Sequence, residues 1–204
     1  MVQKMKNKDR LIILESIKNI NERRQETSEF FNRLKKGYEK ALSVYELEQF
    51  DATLNHAKDP ITLRYLWLIA IYSDYSSKIE AYAKSILADN KNICRDLALK
   101  YLFSKTPENT EMLIAKYEDD INPEVLYAVA QQIREKDTVK AVYMMIDILP
   151  ETLESQELYD AITVDIYENG EKEHLEKMKE YMKYPHLEDC YYYPIEVLKK
   201  KIEL

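Results

Sequence analysis

The segment DPITLRYLWLIA, at residues 59–70, opens a unit of about 30 residues that recurs along the chain. A second copy follows in register, where CRDLAL at 94–99 aligns with LRYLWL at 63–68. A third copy opens with NPEVLYAV at 122–129, and a weaker fourth with QELYDAI at 156–162. A fixed period of this length indicates stacked supersecondary units, none of which buries its apolar face alone. The repeat therefore predicts the architecture and favours a binding role.

The composition favours an all-helical chain that folds as one domain over residues 1–204. The chain has 204 residues, of which 46% are hydrophobic, enough to build a full core. Only Gly37 and Gly170 are glycines. Phosphate-binding loops, dinucleotide-binding fingerprints and nucleophile elbows need clustered glycines for tight turns, so the sequence excludes these kinds of site. A chain poor in glycine and rich in Leu, Ala, Glu and Lys favours helices.

Each repeat unit is predicted to be a pair of amphipathic helices, with about four pairs over residues 59–185. Pro60 and Pro123 suit the first turn of a helix, and Asp59 and Asn122 suit the N-cap positions before them. The second helices carry apolar residues at helical spacing on one face. In the helix predicted to begin at Asp137, the inward residues are Val139, Val142, Ile146 and Leu149.

Helices are also predicted on both sides of the repeats. Residues 1–58 contain two apolar series with helical spacing, separated by a polar stretch at 21–28 that is either an exposed bridge or a break. The first series is Leu11, Leu14, Ile17 and Ile20, and the second is Phe30, Phe31, Leu34, Tyr38 and Leu42. Residues 186–204 are expected to form a helix that caps the stack. Gly170 is expected to end the preceding helix in a left-handed conformation.

The openings of the units resemble those of HEAT repeats, in which Asp-Pro precedes an apolar residue, an arginine and, three positions on, an alanine. Parts of this pattern are carried by Asp59-Pro60 with Arg64, by Arg95 with Ala98, and by Asn122-Pro123. The third copy has Leu126 in place of the arginine. The resemblance implies a right-handed α-solenoid of stacked antiparallel helix pairs, a HEAT-like superhelix. It also implies that Arg64 and Arg95 stabilise the stacking of repeats, and that the chain serves as a scaffold.

No pattern in the sequence is typical of a catalytic, cofactor-binding or metal site. Glu171 and His174 form a single Glu-x-x-His pair, whereas di-iron bundles need two such pairs and two more glutamates. We therefore expect this pair to lie on a solvated helix face. Cys94 and Cys190 lack zinc-ligand spacing, and Cys94 occupies an apolar repeat position that predicts a buried thiol. The acidic cluster at 118–120 is expected to be solvated, since a divalent cation needs more oxygen ligands.

The charge is distributed unevenly. Residues 1–58 sum to about +3 and residues 59–185 to about −9, and within the latter residues 106–170 alone sum to about −11. Such a surface repels nucleic-acid phosphates and attracts basic proteins, although the carboxylates can also serve solubility alone. The apolar run at 11–14 is too short for a signal peptide or a membrane span. We therefore expect a cytoplasmic protein that binds neither nucleic acid nor membranes.

Tyrosine is the remaining functional signal, since it accounts for 17 of the 204 residues. Its rigid, amphipathic ring is enriched in protein interfaces, although tyrosine also fills the cores of thin repeats. Because second helices line the concave face of a HEAT-like stack, we predict an acidic partner-binding strip there, with Tyr143 as an aromatic anchor. The strip consists of Glu80, Glu111, Glu118, Asp119, Asp120, Tyr143, Asp147, Glu151 and Glu154.

The sequence thus predicts a non-catalytic protein-binding module with no cofactor. Its most specific form is an acidic inhibitor, such as an immunity protein that neutralises a basic bacterial toxin or effector. Three alternatives remain open: a HEAT-like nucleic-acid repair or lyase-type enzyme, a generic adaptor or scaffold, and a homo-oligomeric structural protein. A basic groove with a buried carboxylate and an aromatic residue favours the enzyme, and an acidic surface bearing tyrosines favours the binding module.

Overall fold

A computed structural model of the protein describes residues 17, 19–43, 46–47, 50, 53–54 and 57–203. Ten α-helices lie wholly within these residues, and none of these residues belongs to a strand. The predicted all-α class is therefore confirmed. The chain divides into two compact units, Met1–Thr110 and Glu111–Leu204. The prediction of one domain over the whole chain stays a prediction.

The helices follow one another with short connections. The first unit contains α1 (Ile20–Lys35), α2 (Pro60–Ile71), α3 (Ser77–Ala88), α4 (Arg95–Lys105) and a 3-10 helix at Pro107–Asn109. The second unit contains α5 (Thr110–Tyr117, whose first residue belongs to the first unit), α6 (Pro123–Arg134), α7 (Thr138–Ile148), α8 (Gln156–Asn169), α9 (Lys172–Tyr181) and α10 (Glu188–Ile202). Two further 3-10 helices lie at Leu149–Thr152 and Pro185–Leu187. Helices α2, α4, α6, α8 and α10 begin at intervals of about 30 residues, as the sequence period predicts.

The caps confirm the helix starts that the sequence predicts. Asp59 caps α2, and its carboxylate accepts a hydrogen bond of 2.8 Å from the Thr62 backbone N–H. Asn122 caps α6 in the same way and accepts a bond of 3.1 Å from the Val125 N–H. Asp137 caps α7. Each cap satisfies backbone donors that the first turn of a helix leaves unpaired, which fixes where these helices begin.

Helix α1 runs through the polar stretch 21–28 without a break. It ends at Gly37, whose φ of +70° is the left-handed conformation that glycine adopts readily. The Tyr38 N–H donates to the Arg33 carbonyl at 2.8 Å and the Gly37 N–H to the Leu34 carbonyl at 3.0 Å, which is the Schellman arrangement. Tyr38 consequently lies beyond the helix and is exposed, so the prediction that it continues the helical series is wrong.

The other residues of the N-terminal apolar series have mixed outcomes. Phe30, Phe31, Leu34, Leu42 and Ile17 are buried. Leu42 nevertheless lies beyond the end of α1, so the predicted helical spacing does not extend to it. Ile20 is exposed, because it is the first residue of α1. The predicted helical positions Leu11 and Leu14 lie outside the described residues.

Helices α1 and α2 run in the same direction, because contacts pair their corresponding parts. Arg24 in the first half of α1 forms an ion pair with Asp59 at the start of α2. Further along both helices, the Phe31 and Tyr65 rings lie 6.0 Å apart between centroids. The Arg24 guanidinium, together with hydrogen bonds from Thr62, holds the pKa of Asp59 well below its usual range.

Helices α2 and α4 also run in the same direction. Arg64 near the start of α2 forms an ion pair of 3.2 Å with Asp96 at the start of α4. The Trp67 and Tyr101 rings, both fully buried, lie 6.0 Å apart. Cys94, the residue before α4, is fully buried, as its apolar repeat position predicts. The ion pair of Arg64 thus joins α2 to α4.

In the second unit one apolar core is shared by α6, α7, α8, α9 and α10. Its members include Val142, Ile146, Leu149, Ile162, Ile166, Leu175, Met178, Tyr191 and Leu198. Val142, Ile146 and Leu149 were predicted to face inward, and they do. The same prediction for Val139 is wrong. Its side chain is 42% exposed, because it lies in the first turn of α7 and the buried stripe begins at Ala141.

Gly170 does not have the predicted left-handed conformation. Its φ is −74°, which any residue adopts, so backbone geometry does not require glycine there. Glycine is required instead by the lack of space, because an added Cβ would lie 2.5 Å from the Ile166 carbonyl oxygen and 3.1 Å from a methyl group of Leu198. The missing side chain therefore lets α10 approach the end of α8 closely.

Candidate protein-binding surfaces

The residues of the predicted acidic strip are divided between the two units. Glu80 lies on α3 in the first unit, and the other eight residues lie in the second. Glu80 pairs with Lys84 one helical turn later and accepts a hydrogen bond from the Tyr75 hydroxyl. Both partners lower the pKa of the Glu80 carboxyl. Its charge is therefore already engaged by neighbours on the same part of the chain.

In the second unit, six of the predicted residues lie on α5, α7 and the turn after α5, and we call this set the acidic surface. It consists of Glu111, Glu118, Asp119, Asp120, Tyr143 and Asp147. Lys136 forms an ion pair with Glu111, and Lys140 forms one of 2.9 Å with Glu118. Exposed pairs of this kind contribute about 0–1 kcal/mol, but each lysine offsets the charge of the carboxylate with which it pairs. The sequence did not reveal these lysines as partners, because Lys136 is 25 residues from Glu111 and Lys140 is 22 residues from Glu118.

The turn between α5 and α6 combines a solvated and a structural carboxylate. Asp119 is exposed. Asp120 accepts a hydrogen bond of 2.9 Å from the Asn122 N–H and so shapes the turn that leads into α6.

Glu151 and Glu154 are both exposed. Glu151 lies in the 3-10 helix that follows α7, and Glu154 lies just after it.

Tyr143 has a packing partner that the sequence did not reveal. Its ring lies 4.7 Å from that of His174 on α9, between centroids, and the side chain is half-buried. Asp147, one turn later on α7, accepts a hydrogen bond of 2.6 Å from the Tyr181 hydroxyl, also on α9. These contacts pair the middle of α7 with the start of α9, and the end of α7 with the end of α9, so the two helices run in the same direction.

His174 is fully buried, so the prediction that it lies on a solvated helix face is wrong. Its Nδ1 accepts a hydrogen bond of 3.0 Å from the Glu171 backbone N–H, and its Nε2 faces the Val139 carbonyl at 3.4 Å. This arrangement places the proton on Nε2, where it donates to the carbonyl. His174 thus caps the start of α9 and joins it to α7. Its role in the described structure is packing.

A buried carboxylate on α8, Asp165, joins that helix to α6. The Tyr127 hydroxyl donates to it at 2.7 Å, Gln131 at 3.4 Å, and Arg134 forms an ion pair with it. Burial and the hydrogen bond to this carboxylate raise the pKa of Tyr127 well above its ordinary value. With three donors on its two oxygens, Asp165 is satisfied as a structural ion-pair network.

A groove that the sequence did not reveal lies between α8 and α10, and we call it the tyrosine groove. Its volume is about 410 Å³, and it is lined by Asp160, Thr163, Val164, Tyr167, Tyr193 and Val197. Val164, Tyr167 and Tyr193 are 52%, 43% and 57% exposed. Large apolar and aromatic side chains left open around a concavity are typical of binding sites.

Two sets of contacts hold the walls of the tyrosine groove. Near the start of both helices, the Tyr159 hydroxyl donates to the Cys190 carbonyl at 2.9 Å, and burial raises the pKa of this hydroxyl to about 12. At the other end, the Lys201 ammonium donates to the Glu168 and Gly170 carbonyls at 2.9 and 3.0 Å. Helices α8 and α10 therefore run in the same direction, and both ends of the groove are fixed.

A weak signal for this groove was present in the sequence. Asp160, Val164 and Tyr167 are spaced four and three residues apart, so they share one face of α8. That face differs from the one carrying the buried Ile162 and Ile166. A second apolar stripe beside the core stripe indicates a second contact surface on α8. The opposite wall of the groove comes from α10, about 30 residues later in the sequence, and no local periodicity reveals it.

The described part of the chain offers little support for other kinds of site. Among these residues, no three His, Cys, Asp or Glu side chains are grouped closely enough to hold a metal ion. Each helix there is too short or too polar to span a bilayer. No protein-family model matches the chain, and no curated protein or solved structure shows a significant match to it.

Proposed function

We propose that the protein is a non-catalytic protein-binding module whose partner is a basic protein. Its most specific form is an inhibitor, such as an immunity protein that neutralises a cationic toxin or effector. The observation that carries this proposal is the combination, in the second unit, of excess negative charge and exposed tyrosines. Residues 111–204 contain 22 acidic and 11 basic residues, a net charge of about −11, and the tyrosine groove opens among them.

Charge and aromatic area contribute to binding in different ways. An excess of carboxylates raises the rate at which a basic partner is encountered and disfavours acidic competitors. Exposed tyrosine rings add large, rigid contact area at low cost in side-chain entropy, and such residues dominate the energetics of interfaces. A surface with both features suits fast and tight capture of a basic protein, which is what an inhibitor requires.

The proposed scaffold is a HEAT-like right-handed solenoid of antiparallel helix pairs. Polar contacts between residues about 31–35 positions apart support it, among them Arg24 with Asp59, Arg64 with Asp96, and Arg134 with Asp165. Consecutive first helices that run in the same direction, such as α8 and α10, are also expected of such a stack. We propose a cytoplasmic location, since neither Cys94 nor Cys190 forms a disulfide, which suits a reducing compartment.

The acidic surface, together with Glu151 and Glu154, is proposed to steer the partner, and Glu80 of the first unit is proposed to contribute as well. Because Lys136 and Lys140 neutralise part of this surface, its effect is expected on the rate of association more than on the lifetime of the complex.

The proposal is tested with the product of a neighbouring gene that encodes a basic toxic domain. Co-expression should restore growth, and the two purified proteins should form a complex whose association rate falls steeply as salt rises from 25 to 500 mM (concentrations on the order of those that screen surface charge). Lysozyme, a basic protein unrelated to the partner, is the control and should bind weakly at physiological salt. Unaltered toxicity together with no complex would count against the proposal.

The alternative of a nucleic-acid repair or lyase-type enzyme is less favoured by the second unit, because its net negative charge repels phosphate backbones. The buried carboxylate Asp165 is engaged by Arg134 and Tyr127. Retention of a labelled, damaged DNA duplex at physiological salt, followed by base release or strand cleavage, would favour the enzyme instead.

A further inference from the structure

The tyrosine groove has three features that together define a ligand chemistry. Tyr167 and Tyr193 stand on facing helices and expose large fractions of their rings. Val164 and Val197 provide an apolar part of the wall, and Asp160 places a carboxylate in the same concavity. The volume of about 410 Å³ lies at the lower end of the range of small-ligand sites, which is about 300–1,000 Å³. A single long side chain with its flanking main chain is of suitable size.

The charge around the groove is predominantly negative. On α8, Glu157, Asp160 and Glu168 are exposed, and on α10 Glu196 is half-buried. Lys200 is an exposed cation on α10, whereas the nearby Lys201 ammonium is held by two backbone carbonyls. A positively charged side chain is therefore attracted, and a carboxylate or phosphate is repelled.

We propose that the tyrosine groove binds an arginine side chain presented by the basic partner protein. This inference rests on the proposed function and specifies its main point of contact. The planar guanidinium stacks on the faces of tyrosine rings and forms paired hydrogen bonds with a carboxylate. The arginine methylenes pack along Val164 and Val197, and the guanidinium lies between a tyrosine ring and Asp160. Lysine has the charge but lacks the planar group, so it binds more weakly at such a site.

The first experiment uses a probe that needs no identified partner. The probe is N-acetyl-arginine methylamide, titrated into the full-length, 15N-labelled protein, with the citrulline analogue as a neutral control of the same shape. We expect saturable shifts of the amide signals of Val164, Tyr167 and Tyr193 with arginine, and shifts about tenfold smaller with citrulline, because the cation is the recognised group. Equal responses to both compounds, or shifts spread evenly over acidic residues, would overturn the proposal.

Matched variants separate the groove from general surface charge. Tyr193→Ala should weaken binding of the arginine probe about tenfold, whereas Tyr192→Ala, its neighbour outside the groove, should change it less than about twofold. Asp160→Asn should weaken it by a similar factor and Asp119→Asn should not. If the two tyrosine variants, or the two aspartate variants, behave alike, the groove is not the site.

The second experiment uses the complex with the basic partner and keeps the two proposals apart. Tyr193→Ala and Asp160→Asn should raise the dissociation rate about 30-fold or more, as loss of a buried anchor does. If the complex forms but neither variant affects it, the proposed function stands and the groove proposal falls. If sedimentation shows a dimer that Tyr193→Ala dissociates, a second copy of this chain covers the groove, and the proposal is overturned as well.

Discussion

The acidic surface and the tyrosine groove lie in the same unit but differ in how their polar and aromatic groups are already used. In the acidic surface, Glu111 and Glu118 are paired with lysines, and Asp147 accepts a hydrogen bond from Tyr181. Tyr143, its expected anchor, packs against a buried histidine. In the groove, Asp160 accepts a hydrogen bond of 2.7 Å from the Gln156 side chain, but Tyr167 and Tyr193 remain open to solvent. The comparison shows that the density of charge in a sequence does not locate a binding surface, because neighbours within the fold compete for the same groups.

The largest effect is expected where a carboxylate is buried and paired. Asp165→Ala removes the partner of Arg134 and Tyr127 and should lower the free energy of unfolding by about 3 kcal/mol, since it leaves a charge and a hydroxyl without their partner. Asp160→Ala, five residues earlier on the same helix and exposed, should change it by about 0.5 kcal/mol or less. Urea denaturation followed by circular dichroism measures both.

Equal losses for the Asp165 and Asp160 variants would contradict the distinction between a structural carboxylate and a groove carboxylate. A loss of partner binding by Asp165→Ala at a temperature where the variant is folded would instead point to a direct contact at α6 and α8.

The next prediction concerns the two candidate anchors. If Tyr143 is the anchor that the sequence predicts, Tyr143→Ala weakens partner binding by about 2 kcal/mol or more. Because Tyr143 packs against His174, we expect the loss in stability instead, about 1–2 kcal/mol in the free energy of unfolding, with the dissociation constant changed less than about threefold. Tyr192→Ala is the control for an exposed ring. Calorimetric titration and urea denaturation of both variants decide between the two effects.

A folded Tyr143→Ala variant that binds about 30-fold more weakly would restore the acidic surface as the main contact. The groove would then contribute little, and Tyr193→Ala should leave the affinity unchanged.

Charge reversal tests the steering role of the acidic surface. Replacing Glu118, Asp119 and Asp120 together by lysine changes the net charge by +6 and should slow association with a basic partner about tenfold at low salt. The dissociation rate should remain nearly constant. The same reversal at Glu173, Glu176 and Glu180 on α9 is the matched control for total charge. Stopped-flow kinetics over a salt series measures both.

A tenfold loss in the first variant and little change in the second would assign steering to the acidic surface itself. Equal slowing in both would show that only the total charge of the unit matters, and no slowing in either would remove the steering role.

The smallest effect is expected in the pH dependence of stability in the first unit. Arg24 lowers the pKa of Asp59 in the folded state, so the unfolded chain binds a proton more readily than the folded one. This stabilisation, about 1 kcal/mol for a partly exposed pair, is present above the unfolded pKa of about 3.9 and is lost as the pH falls through and below it. Asp59→Asn keeps the N-cap and removes the charge.

The stability difference between the wild type and Asp59→Asn should therefore be constant near neutral pH and shrink towards acid pH. Asp119→Asn, at an exposed site, serves as the control and should leave the curve unchanged. Thermal unfolding between pH 7 and pH 2 provides the measurement, and a difference that grows towards acid pH would reverse the assigned sign.

Several parts of the fold were predictable because their causes are local in the sequence. Asp59, Asn122 and Asp137 cap helices because each offers a side-chain acceptor to an N–H two or three residues away. Gly37 provides a left-handed helix end that the sequence reading missed, although the signal was present. The burial of Cys94 followed from its alignment with apolar positions in the other repeats.

The candidate site was less predictable, because its determinants are distant in the sequence. The pairing of Glu118 with Lys140 joins residues 22 positions apart. The contact of Tyr143 with His174 joins two helices separated by a third. Helical periodicity shows which residues share a face of one helix, but not whether another helix covers that face.

By itself, the sequence determined the all-helical class, the interval at which helices begin and the residues that start them, because propensities and caps act within one or two helical turns. Only the tertiary structure decided that His174 is buried, that Gly170 is required by the approach of Leu198, and that Tyr167 and Tyr193 face one concavity. The physical reason is that these features depend on the packing of helices that begin about 30 residues apart. Burial and exposed area arise only when two such helices meet.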